Sequence, residues 1–193
     1  VKRQEVVIKS VDYDILEKND KKVGYIYISV FSLNTYEQFK EALLELEDVT
    51  SSIIIDVRGN GGGHLTSVEQ IVSLFLDSSN IIYKMDIDGV VTSYYSKGDV
   101  NKTYPISILI NGESASASEL LTLALKEQYG ATVVGETSFG KGTVQEKYML
   151  STGASYKVTT KKWLSPNGVF LNSENKIVPD ILVPANGDFL IQS

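Results

Sequence analysis

Two runs rich in β-branched and aromatic residues, Val6 to Val11 and Val23 to Ile28, flank the polar stretch Lys18-Asn19-Asp20-Lys21-Lys22. That pattern predicts two strands and a turn. Asn34 followed by Glu37, then Phe39, Ala42, Leu43 and Leu46 on one face, predicts a capped amphipathic helix ending near Asp48. Ser52 to Val57 is a near-continuous apolar strand, so strand, helix and buried strand form a parallel β-α-β unit. After R-G-N-G-G-G (Arg58 to Gly63), Thr66 with Glu69 has the form of a capping box, and Val68, Ile71, Val72 and Phe75 form a helix face. Ile81 to Tyr95 alternates around Asp88-Gly89, as a hairpin decorating an edge does.

The stretch from Ile106 to Lys147 is the one around which the chain is organised. Apolar Ile106 to Ile110 ends at Asn111-Gly112, gives way to small residues, and resumes at helical spacing with Leu120, Leu121, Ala124 and Leu125. This is strand, tight turn, helix, with the helix stopping at Tyr129-Gly130. A hydroxyl at such a junction projects from a buried strand's end toward helix N–H groups that have no partner inside the helix. Ser116-Ala117-Ser118-Glu119 also fits a capping box, which needs only to start a helix. Ala131 to Gly135 is a further buried strand, the loop Glu136 to Gly142 follows, and Val144 to Leu150 with Ala154 to Lys161 reads as a hairpin around Ser151-Thr152-Gly153. The last apolar stretch, Ile177 to Val183, holds Pro179-Asp180.

A chain of 193 residues, 42% hydrophobic, can bury one full core, so one domain is the default. A net charge of -6 without a basic cluster argues against nucleic acid as a partner. With no cysteine, disulfides and thiolate-held metals are excluded. No apolar stretch approaches the ~20 residues that span a bilayer. The start at Val1 suits a processed form or a fragment.

Three chemistries fit the polar residues. Gly135-x4-Gly140-Lys141 nearly matches a phosphate-binding P-loop, with Ile53-Ile54-Ile55-Asp56 imitating the acidic strand. Gly142 stands where that motif needs Ser or Thr, and a strand follows where it needs a helix, so no nucleotide is expected. A Ser-His-Asp triad would use the single histidine, His64, beside the glycine loop, yet no carboxylate is spaced to orient it. A serine paired with a lysine is the third. Lys141, between two glycines next to a buried strand, would suit a desolvated amine, and Gln145, four residues on, shares its face if a strand begins there. The plain alternatives are a solvated loop lysine and, for the glycine loop, a tight turn. Four glycines in six residues exceed what a turn needs and favour close backbone approach to a bound group.

S-A-S-A-S-E (Ser114 to Glu119), followed by V-V-G-E-T-S-F-G-K-G-T-V-Q (Val133 to Gln145), resembles the signature of the carboxyl-terminal processing, or tail-specific, serine proteases. D-V-R-G-N-G-G-G (Asp56 to Gly63) resembles their D-L-R-x-N-x-G-G loop, and Ile177-Val178-Pro179-Asp180 their closing motif. The resemblance implies a ClpP/crotonase-like α/β core and an endopeptidase acting on protein or peptide substrates near their carboxyl termini, without cofactor or metal. By motif position it makes Ser116 the nucleophile, Lys141 the general base and Gln145 the residue that orients the lysine. The N–H groups of Ala117 and Gly62 would form the oxyanion hole. Gly61 departs from the family's usual Pro, and Trp163 from its Tyr or Phe. The expectation is a single protease core over residues 1–193 without the family's PDZ domain, acting outside the cytoplasmic membrane, with a homo-oligomer left open. The alternative is a non-catalytic ligand- or peptide-binding module on the same fold.

Overall fold

Short apolar runs without polar alternation can satisfy themselves only where both faces of a strand are covered. Three of them stand side by side at the centre: β3 (Ile53–Asp56), β6 (Ile106–Ile110) and β7 (Thr132–Gly135). The structure, a computed structural model, describes residues 8–99 and 101–184. β1 (Val11–Lys18) and β2 (Lys21–Ile28) form an antiparallel hairpin at one side of this sheet, and β10 (Ile181–Leu182) closes the other. The order is β1-β2-β3-β6-β7-β10, and every pairing after the first is parallel.

Helices α1 (Thr35–Glu47), α2 (Leu65–Val72) and α3 (Ala117–Ala124) supply the crossovers, and a turn of π-helix, Leu125–Tyr129, extends α3 to left-handed Gly130. Ile26, Ile28, Ile55, Ile108 and Val133 on one sheet face meet Phe39, Leu43, Val68, Ile71, Leu120, Leu121 and Ala124 from the helices in one core. Each of the larger side chains here, fully removed from water, contributes roughly 1.5–3 kcal/mol. A smaller cluster, Ile54, Leu109, Val134 and Val183, lies on the other face.

A second sheet, ordered β5-β4-β9-β8, is built from β4 (Ile81–Ile87), β5 (Val90–Tyr95), β8 (Thr143–Met149) and β9 (Ser155–Leu164). The Asp88-Gly89 turn is there, both residues at positive φ, but the hairpin is no edge decoration. β4 pairs with β9, setting Met85 opposite Trp163, and Ile82, Tyr83, Met85 and Trp163 join the main core. Local periodicity cannot show this, because the partner strand lies far along the chain.

Two further expectations are corrected. The first strand begins at Val11 rather than Val6, and residues 6 and 7 lie outside the described residues. As the sheet's edge, β1 is exposed over most of its length, so its residues show no buried stripe to read. α2 is capped at His64, not Thr66, and the Glu69 carboxylate accepts the Tyr83 hydroxyl at 2.6 Å instead of closing a capping box. What positions the site is parallel topology: β3, β6 and β7 all end at the same edge, and the glycine loop, the turn into α3 and the loop before β8 all leave from there.

Candidate active site

Ser116 is the N-cap of α3 with φ 56 and ψ -113. An ordinary N-cap residue sits in the β region, and a non-glycine residue at positive φ costs on the order of 1–3 kcal/mol and persists only where its surroundings impose it. Such a strained strand-to-helix turn is what carries the nucleophilic serine out of the sheet in α/β-hydrolases. The flanking serines are buried and used as struts. The Ser114 hydroxyl donates to Val57 O at 2.8 Å and accepts from Asn111 N–H at 3.0 Å, while Ser118 donates to Asn60 O at 2.8 Å. Of the three serines, Ser116 alone lines the adjoining cavity.

Asn60 holds the glycine loop against this turn. Fully buried, it donates from Nδ2 to Ile28 O at 2.9 Å, and its carbonyl accepts both Ala115 N–H at 3.1 Å and the Ser118 hydroxyl. Its Oδ1 accepts Gly62 N–H at 2.9 Å. Gly62 has φ +106, and a Cβ there would stand 2.9 Å from Ala115 O and 3.0 Å from Ser116 Cβ, so only glycine fits without displacement. Below the loop, Asp56 accepts the Arg58 guanidinium (Nε 2.9 Å, Nη2 2.5 Å) and the Tyr25 hydroxyl at 2.7 Å. Burial, then the bond to that carboxylate, pushes the Tyr25 phenol well above its ordinary range, and the same carboxylate raises Arg58 further. The base of the loop therefore stays a charged, locked anchor.

Lys141 arrives from the loop between β7 and β8. Its carbonyl accepts the Trp163 indole N–H at 3.0 Å, and its own N–H donates to Glu119 Oε2 at 2.9 Å. Lys141, Gln145 and Ser116 line one cavity of about 300 Å³, together with Ala117 and the apolar Leu65, Leu120, Val144 and Trp163. No hydrogen bond joins Ser116 and Lys141 directly. Ala117 N–H, at the start of α3, has no partner among the described residues. Gly62 N–H does have one, Asn60 Oδ1.

Thus the structure brings together Ser116, Ala117, Lys141 and Gln145, with Gly62 packed behind the serine. His64 is exposed, caps α2 and does not line the cavity, so it is not placed to serve as a base. Lys141 is followed by β8 and not by the helix that a P-loop lysine precedes. Two residues that sequence reasoning left without a functional role organise the site. Asn60 carried a signal in its place within the glycine loop, and Glu119 was visible only as half of a capping box.

A model of peptidase family S41 matches residues 22–183. Carboxy-terminal processing protease CtpB of Bacillus subtilis (strain 168) is 41% identical over 185 residues, covering 95% of this chain and 38% of that protein. A probable CtpA-like serine protease of Staphylococcus aureus (strain N315) is 37% identical over 188 residues, covering 95% and 37%. The chain thus spans well under half the length of these curated relatives. Among solved structures, a photosystem II D1 C-terminal processing protease superposes with a TM-score of 0.84 at 26% identity, over 95% of this chain and 50% of that one. Mature CPAF, at 17% identity and a TM-score of 0.70, shares the fold over 89% and 49%.

Proposed function

The chain belongs to peptidase family S41, and from that premise we propose that it is the catalytic core of a serine endopeptidase working through a Ser116–Lys141 dyad. The observation that supports this reading best is the strained Ser116, held at φ 56 in the same cavity as Lys141. A serine hydroxyl is a weak nucleophile until a base takes its proton, and a neutral lysine amine can do so. Lys141 Nζ accepts the Ser116 proton as Oγ attacks the scissile carbonyl, then passes that proton to the departing amine. Water hydrolyses the acyl-enzyme by the same route, leaving a free carboxylate and the original hydroxyl. Gln145, a neutral amide, orients the amine without stabilising its charged form as a carboxylate would.

The developing oxyanion is assigned to Ala117 N–H and to Gly62 N–H, the latter shared with Asn60 Oδ1. Leu65, Leu120, Val144 and Trp163 give the cavity an apolar wall beside the nucleophile, which suits a peptide side chain. Relatives named for carboxy-terminal processing support protein substrates cleaved near their carboxyl ends. A site outside the cytoplasmic membrane belongs to the same proposal.

The test is cleavage of an unfolded protein substrate by four variants. Ser116→Ala and Lys141→Ala should lose activity, and so should Lys141→Arg, since arginine stays protonated and cannot accept the serine's proton. His64→Ala should keep most of it. A profile of kcat/KM against pH should climb beyond the unperturbed histidine value of ~6.5, because the reactive form is the deprotonated amine. Near-normal cleavage by Lys141→Ala with loss in His64→Ala would refute the dyad.

A further inference from the structure

Glu119 is fully buried, yet no cation pairs with it among the described residues. A carboxylate taken out of water at that depth persists only if each oxygen finds donors. Both do. Oε1 accepts the Ser138 hydroxyl at 2.7 Å and Gly140 N–H at 2.6 Å. Oε2 accepts Ser116 N–H at 2.8 Å and Lys141 N–H at 2.9 Å. The four donors fill the carboxylate's acceptor capacity, and they come from two chain segments that share no secondary structure.

A helix cap explains one of these bonds. Capping requires only Ser116 N–H, and an exposed Glu would provide it. It does not explain why the peptide groups of residues 116 and 141 hang on the same oxygen atom, nor why two more donors of the 138–141 loop converge on the other. We infer that Glu119 is the positioning residue that sets Lys141 against Ser116, an inference that rests on the dyad proposed above. One oxygen fixes where the main chains of both residues run, so the lysine's reach to the serine is decided by Glu119 and not by the mobility of a glycine-flanked loop. The same carboxylate accepts the Ser116 N–H at the point where the backbone is strained, at φ 56. Because Glu119 sits in the first turn of α3, its charge is also favoured by the helix N-terminus.

Glu119→Gln tests this at nearly constant volume. An amide has one accepting oxygen and one donating nitrogen, so one side of the clamp must face donor against donor. The expected result is a variant that remains folded at the assay temperature with a lowered Tm, a kcat reduced on the order of 10²-fold, and a KM within about threefold of the parent. A purely structural role would lower Tm and leave kcat per folded molecule unchanged. Glu119→Asp, which keeps the charge but shortens the arm by one methylene, should show the same selective loss of kcat and carries the test if the glutamine variant fails to fold. The inference is overturned by a folded variant whose kcat stays within about threefold of the parent, by a loss confined to KM, or by failure of both variants to fold. Ser116→Ala is assayed alongside: residual cleavage there condemns the dyad itself, whereas an inactive Ser116→Ala beside a fully active Glu119→Gln condemns only the role given to Glu119.

Discussion

One backbone angle separates Ser116 from an ordinary helix cap. Ser116 with Glu119 has the capping-box form, but an unstrained cap would not hold serine at φ 56 against the Gly62 backbone. Gly62→Ala should therefore be damaging twice over. The added Cβ meets Ala115 O at 2.9 Å, and φ +106 is unfavourable for alanine. A fall in kcat/KM of about 10²-fold with a lower Tm is the expected outcome, read by peptidase assay and thermal melting. Ser114→Ala differs in kind. It removes a buried hydroxyl that ties Asn111 N–H to Val57 O, so it should cost about 1–3 kcal/mol in denaturant unfolding while the folded fraction still cleaves. Of these residue-scale facts, the sequence showed the serines and glycines but not the polar hubs. Beyond their local bonds to Gly62 and Ser116, Asn60 and Glu119 take partners from distant segments, 28, 115 and 118 for one and 138–141 for the other, which no local spacing predicts.

At the scale of elements, the parallel strands were legible because burial on both faces leaves a run such as Ile53 to Ile55 without polar alternation. The pairing of β4 with β9 was not, since β-pairing across such a separation leaves no periodic trace. The closing strand is pinned by Asp180, which bonds Lys126 Nζ at 2.6 Å and accepts Val133 N–H at 2.9 Å. Burial opposes the charged carboxylate, but the Lys126 ammonium and the Val133 N–H outweigh it and hold Asp180 below its ordinary value of 3.8. A depressed folded value means the stabilisation is present above the unfolded value and is lost as pH falls through the folded one. Asp180→Asn should accordingly lower stability by about 1 kcal/mol at pH 7. The gap between parent and variant melting temperatures should close as the pH is taken below about 4, and a gap that persisted unchanged would show the charge to be irrelevant.

Across the whole molecule, the candidate cavity is lined jointly by α3, the glycine loop and the β8–β9 hairpin, so the two sheets meet at it. No group of three or more His, Asp or Glu among the described residues could hold a metal ion. Neither EDTA nor Mg-ATP should change activity or Tm, and a clear thermal shift with Mg-ATP would revive a nucleotide role for the Lys141 loop. The most direct test of the dyad is the site of covalent capture by a fluorophosphonate, mapped by peptide mass spectrometry in the parent and in Lys141→Arg. The account predicts a single label on Ser116 in the parent and a labelling rate lower by about 10²-fold or more in Lys141→Arg. A label on Ser114 or Ser118, or undiminished labelling of Ser116 without the lysine amine, would contradict it.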